Sequence, residues 1–188
     1  MYSVPEKVIP MYHEELHEQT VQKLTSALLL LLKDKPLHRI TIKELCAEAS
    51  VNRTTFYKYY GSQYDLFDSI ADSFFSGLQE IYSRHPKSDY EGTLKHTAEV
   101  YRYLEDHRTL TLTLYYNMPS EQFMERYISI PAIKHVLSRG ITEEAVAEGR
   151  SVYFIYGTIP IVIHWLELEK RCSAKEEAKK ILDIVYSA

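Results

Sequence analysis

Six glycines and seven prolines in 188 residues are too few to build a chain of short strands and tight turns. The apolar residues recur instead at three- and four-residue spacing, the period of a helix with one buried face. The chain therefore reads as all-α, with about nine helices. At 45% hydrophobic and 26% charged it can bury roughly 70% of its unfolded surface, which excludes disorder as the main state. The longest apolar run, Ala27 to Leu32, is six residues, against the ~20 needed to cross a bilayer. With no leader-like start, the expectation is a soluble cytoplasmic protein with no membrane partner. Cys46 and Cys172 stand far apart and suggest neither a disulfide framework nor a zinc knuckle.

Helices are expected over 13–34, 41–49, 52–60, 63–83, 90–106, 109–114, 120–138, 142–170 and 174–186, after an arm at 1–12 that contains Pro5 and Pro10. The first carries Leu16, Leu24, Leu28 and Leu31 on one face and stops before Pro36. Four starts carry a capping box, in which a hydroxyl and a carboxylate three residues on satisfy each other's amides. These are Thr41/Glu44, Ser62/Asp65, Ser88/Glu91 and Ser173/Glu176. Residues 109–114 read Thr-Leu-Thr-Leu-Thr-Leu, the alternation of a half-buried strand. A lone strand would leave its backbone groups unpaired, so a short helix is expected there too.

The functional signal lies in residues 41–60. Two short helices flank Ser50-Val51, with Ile42, Leu45, Cys46, Val51, Phe56 and Tyr60 as the inward set, which is a helix-turn-helix pattern. Arg53, Thr54, Tyr57 and Lys58 then project outward, together with what Thr55 does not bury. Such a helix fits a major groove, where arginine can hold guanine by two bonds and threonine can meet a thymine methyl. Tyrosine and lysine reach phosphates. Six basic residues face three acidic ones between Lys33 and Gln63, a local +3 within a chain of net −4. The amides that open the helix at Ser62, Gln63 and Tyr64 suit a backbone phosphate.

Residues 40–66, with the Thr-Phe-Tyr-x-Tyr-Tyr-x-Ser core at Thr55 to Ser62, resemble the N-terminal DNA-binding domain of the TetR/AcrR family of bacterial transcriptional regulators. With the first helix, the resemblance spans about 50 residues. It implies a three-helix DNA-binding domain at 13–62 and a helical ligand-binding and dimerisation domain at 63–188. It further implies a homodimeric repressor of a palindromic double-stranded operator, released by a small-molecule effector. By that resemblance Thr41 and Lys43 approach DNA from the first motif helix, Arg53, Thr54, Thr55 and Tyr57 face bases, and Lys58 and Tyr59 serve the groove edge and phosphates, with Asn52 and Gln63 completing the expected DNA-binding set. Three positions depart from the family pattern. Gln63 stands for the usual lysine, which removes about one counterion's worth of salt dependence. Ser50 stands for the usual turn glycine, and Cys46 for the usual alanine as an inert packing residue. Gln63 and the acidic balance also motivate an alternative, a co-regulator of the same fold acting through a protein partner.

Residues 153–166 are nearly apolar all round and need cover on more than one side. With Ala178, Ile181, Leu182 and Val185 they carry more apolar surface than one small domain hides, and a twofold interface is the simplest cover. The segment also resembles the C-terminal dimerisation helix of a branch of the same family, which implies two helices from each subunit in a four-helix bundle. Pro160 removes a hydrogen bond to the Tyr156 carbonyl and should kink this helix beside Gly157. Tyr101, Tyr115, Tyr127, Tyr153, Tyr156, His164 and Trp165 are the candidate lining of an effector pocket, against core or dimer packing as the plainer role. His13-Glu14-Glu15-Leu16-His17 matches a zinc-peptidase spacing but lacks a third ligand and an apolar run before it, so it reads as a solvated helix start. No catalytic residue, cofactor or metal is expected.

Overall fold

The computed structural model of the chain describes residues 8–84, 89–130 and 144–186. Among these are nine α-helices and one 3-10 turn. The chain divides into two compact units, Met1–Asp72 and Ser73–Ala188, and one helix, α4 (Gln63–Ser83), runs across the division.

In the first unit α1 (Val8–Leu31) begins five residues before the expected start at His13. Pro10 permits this because it falls in the first turn, where its missing N–H has no helical partner to lose. Leu24, Ala27 and Leu28 are buried but Leu16 is 41% exposed, so the buried stripe of α1 starts later than its leucines suggest. A 3-10 turn (Leu37–Arg39) leads into α2 (Ile42–Glu48), which has the full capping box. The Thr41 hydroxyl accepts from the Glu44 amide at 3.2 Å, and the Glu44 carboxylate accepts from the Thr41 amide at 3.0 Å. Helix α3 (Arg53–Phe56) is a single turn, shorter than the expected 52–60. The Phe56 carbonyl accepts from both Tyr59 and Tyr60, the shared pattern of a helix end, and residues 57–59 continue only as turns. Leu45, Cys46, Phe56, Leu66, Phe67, Ile70 and Ala71 are buried.

The second unit contains the rest of α4 and helices α5 (Tyr90–Asp106), α6 (Arg108–Asn117), α7 (Ser120–Ile128), α8 (Glu144–Glu167) and α9 (Ala174–Tyr186). Helix α5 is capped by Asp89, whose carboxylate accepts from the Gly92 amide at 2.7 Å. The expected cap, Ser88, lies outside the described residues, as do residues 131–143, which include the expected end of the helix over 120–138. The alternating Thr-Leu run is helical, as the lack of a partner strand requires. Thr111 is buried there, and its hydroxyl bonds back to the carbonyls of Leu104 and His107 at 3.2 and 3.0 Å. Helix α5 packs most extensively against α9, and Tyr101 on α5 meets Trp165 on α8 with ring centroids 6.0 Å apart. The Ser173/Glu176 box is complete. In the Ser62/Asp65 pair the serine does accept from the Asp65 amide, but the carboxylate reaches the Gly61 amide at 2.9 Å.

Candidate nucleic-acid interface

The motif is built on Phe56. Its side chain is fully buried, and the Tyr57 and Tyr60 rings pack against it at 5.5 and 5.9 Å. Asn52 fixes the start of α3: its side-chain oxygen accepts from the Thr54 amide at 2.9 Å. An anchor below and a cap at the entrance leave one orientation for the residues between them. Arg53, Thr54, Tyr57 and Lys58 are exposed, Tyr57 by 58%, and Thr55 is half-buried. Of the outward set read from the sequence, Arg53 and Thr54 lie on α3 itself, and Tyr57 and Lys58 follow in the turn that ends it.

The other expected residues occupy varied settings. Thr41 is exposed, yet its hydroxyl is engaged with Glu44, donating at 2.8 Å as well as accepting. Lys43 is exposed on α2. Asn52 is exposed, with its carbonyl oxygen in the cap and its amide NH2 left to a further partner. Tyr59 is half-buried, and its ring meets that of His17 on α1 edge-on, centroids 4.8 Å apart. Gln63 is half-buried as the first residue of α4, at the positive end of that helix.

Charge around this surface is controlled locally. Lys35, first, and the amide and hydroxyl of Thr41 hold the Glu44 carboxyl down to about 2, and Lys35 sits 2.7 Å from it. One acidic residue of the motif is thus neutralised by a partner, while Lys43, Arg53 and Lys58 stay exposed. Cys46 is buried, and burial raises its thiol pKa, which suits packing rather than reactivity. Ser50, between the motif helices, has φ 53°, the left-handed backbone for which glycine is favoured.

The aromatic residues considered for an effector pocket fall into two groups. Tyr101, Tyr127 and Trp165 are buried, and Tyr115 is half-buried against Phe123, centroids 5.5 Å apart. Tyr153 and Tyr156 on α8 are 82% and 49% exposed, and His164 is exposed as well. Two residues that were not among the pocket candidates join this group, the half-buried Tyr82 and the buried His96. Tyr82 shares a side-chain hydrogen bond with Tyr127, and burial drives its hydroxyl pKa upward; that of Tyr127 is pushed up to about 12. His96, buried 5.4 Å from the Tyr82 ring, has an Nε2 with no hydrogen-bond partner, and burial lowers its pKa. Both lie on buried faces of α4 and α5, where a helical reading counts them simply as core. A groove along α5, lined by Arg84, Lys95, Glu99, Arg102 and Lys175 among others, involves none of the expected aromatic residues.

Among the described residues no group of three or more His, Cys, Asp or Glu could hold a metal ion. The side chain of His13 lies outside the described residues, and His17 packs on Tyr59. No helix among them is long and apolar enough to cross a membrane.

Residues 24–70, which hold the whole motif, match the family model described as bacterial regulatory proteins, tetR family. A curated relative, the uncharacterized HTH-type transcriptional regulator YxbF of Bacillus subtilis (strain 168), is 22% identical over 177 residues. That alignment covers 89% of this chain but only 45% of the relative, so the chain spans less than half of that protein's length. Among solved structures, a TetR transcriptional regulator from Streptococcus agalactiae 2603V superposes with a TM-score of 0.65 at 18% identity. It covers 94% of this chain and 98% of its own. NalD, the secondary repressor of the MexAB-OprM multidrug efflux pump in Pseudomonas aeruginosa, gives 0.65 at 16% identity, with 92% and 96% covered. At these identities the structural likeness establishes the fold.

Proposed function

We propose that this chain, a TetR/AcrR-family regulator by its N-terminal domain and its fold, is a homodimeric repressor of a palindromic operator, released by a small molecule held in its second unit. One observation carries the DNA-binding part: Arg53 and Thr54 on α3 and Tyr57 and Lys58 in the turn that follows it stand exposed, while Phe56 is buried beneath them and the Asn52 side chain caps the helix start. A turn so held can enter a major groove with Arg53 and Thr54 at base edges and Tyr57 and Lys58 at its rim. Thr41, Lys43, Asn52, Thr55, Tyr59 and Gln63 surround that core as secondary contacts, and the partner copy presents the same set to the next major groove.

The dimer was expected through the last two helices, but Ala178, Ile181 and Leu182 of α9 are buried within the single chain, so its support comes from α8. Tyr153, Tyr156, Gly157, Pro160, Ile161 and His164 are exposed along one broad side of it, and nothing lies within 4 Å of where a Gly157 side chain would begin. An apolar stripe of this length fits a self-complementary interface. Release by an effector is supported by the hydroxyls of the half-buried Tyr82 and the buried Tyr101 and Tyr127, and by the His96 Nε2, which has no hydrogen-bond partner, in an interior that also holds Thr111 and Glu177.

The test is selection of bound duplexes from a random pool at two salt concentrations, followed by substitution. Arg53→Ala is expected to lose roughly 1–3 kcal/mol on the selected duplex and to relax base preference, whereas Lys58→Ala weakens all duplexes alike. Equal loss on selected and random DNA for Arg53→Ala would remove its assigned role. Failure to recover any duplex would overturn the DNA-binding reading in favour of a protein partner.

A further inference from the structure

The groove along α5 encloses about 730 Å³ and is walled mostly by charged side chains. Lys95 and Arg102 of α5 and Lys175 of α9 line it, all three exposed, and among the described residues none of them has a hydrogen bond or ion pair. Arg84 lines it too, but is held by Glu80 at 2.9 Å. Acids share the wall: Asp89, whose carboxylate caps α5 at the Gly92 amide, with Glu91 and Glu99. Glu91 and Glu99 stand four residues to either side of Lys95, the spacing of helical ion pairs, yet neither pair is formed. His96 lines the same groove but is only 7% exposed, and its Nε2 has no partner. Burial lowers its pKa, outweighing the nearby Glu99, so near neutral pH the ring is uncharged and carries one N–H. A ring nitrogen buried without a partner is costly, and an acceptor oxygen supplied from the groove would remove that cost.

We infer that this groove is a binding site for a small oxyanion, a carboxylate or phosphate group, held among Lys95, Arg102 and Lys175 with His96 Nε2 donating to it. Arg102 supplies paired N–H donors in a fixed fork, and the two lysines supply compact charge. The acids bound the charge of the ligand: four cations and three acids line the groove, so a singly or doubly charged group fits and a polyanion does not. The inference gives a chemical class to the effector of the reading above, and rests on that reading only for the consequence, loss of duplex binding.

The full chain is titrated with sodium phosphate, with sodium acetate and, as control, with sodium chloride at equal ionic strength, while the magnetic resonance signals of the His96 ring and of the Lys95 and Arg102 amides are followed. Phosphate or acetate is expected to shift these signals to saturation where chloride does not, and the one that saturates at lower concentration tells which oxyanion the groove prefers. A triple variant, Lys95→Gln with Arg102→Gln and Lys175→Gln, is expected to bind about tenfold or more weakly, as loss of charged hydrogen bonds implies, and to keep its melting temperature because none of the three has a described partner. His96→Phe keeps a ring against Tyr82 and is expected to bind more weakly too, read at the two amides. A response to both oxyanions no different from that to chloride overturns the inference, and so does undiminished binding by either variant. The effector reading is checked separately. With the groove saturated, affinity for a duplex that the unaltered protein selects is expected to fall below its value in chloride, and the triple variant is expected to show no such fall. Unchanged affinity with the groove occupied leaves the site standing and overturns the effector reading.

Discussion

Ser50 has φ 53°, and it is the one non-glycine residue with positive φ among those described. That conformation crowds a Cβ against the following carbonyl at a cost of roughly 1–2 kcal/mol for an ordinary side chain. Ser50→Gly should therefore raise unfolding stability by about 0.5–1 kcal/mol, less than the full strain because glycine also loses more freedom on folding. Ser50→Val should lower it, since a β-branched residue fits this region worst. Denaturant unfolding of the three proteins checks both. Glu44 gives a second expectation. Its folded pKa lies near 2, below its ordinary 4.5, because of Lys35 and Thr41, so its stabilising effect is complete above pH 4.5 and is lost as pH falls towards 2. Melting temperature should drop across that window, and Glu44→Gln should drop less, as read by thermal scans. Both features were legible in part: the Ser50 substitution at a glycine position and the Thr41/Glu44 spacing are visible in the chain itself. The Lys35 partner and the His17–Tyr59 contact were not, because nothing in a periodic pattern says which side chains meet across 9 or 42 residues of sequence.

At the level of helices, Gly77 sets how closely α4 and α5 approach. A Cβ there would collide with the Tyr103 hydroxyl and lie 2.8 Å from its Cζ, and that hydroxyl donates to the Phe74 carbonyl at 2.9 Å. Gly77→Ala is expected to destabilise the second unit by roughly 1–3 kcal/mol, in the range for overpacking. Adding Tyr103→Phe should recover part of this by removing the nearest atom, so a double-mutant cycle in denaturant gives a coupling between the two sites. Independent effects that simply add would contradict the stated clash. Most of these helices follow from apolar spacing, and α6 follows from the demand that backbone groups be paired, which outweighs its strand-like alternation. Ends were harder to place. Helix α1 starts early because proline is harmless in a first turn, and α3 stops early because the Phe56 carbonyl is shared between two amides.

For the molecule as a whole, the exposed side of α8 makes self-association the central expectation. Placing charge at two of its exposed apolar positions, Tyr153→Asp with Ile161→Asp, should shift the protein to a monomer by sedimentation and, on the proposed dimeric reading, weaken binding to the selected duplex because one copy would engage half a site. An unchanged sedimenting mass would mean that the stripe serves another purpose. That residues 153–166 need cover could be read from their composition, whereas the division of the aromatic residues into buried and exposed sets could not, since a helix apolar on all sides carries no mark of which face turns inward. The brevity of α3 has a last consequence. Phe56 is the one fully buried residue of α3, while Arg53 and Thr54 beside it are exposed, so these two outward positions add little to the packed core. On the proposed DNA-binding reading, relatives could therefore exchange one preferred duplex for another by substitution at Arg53 or Thr54 with little change in melting temperature, because the packed scaffold is untouched.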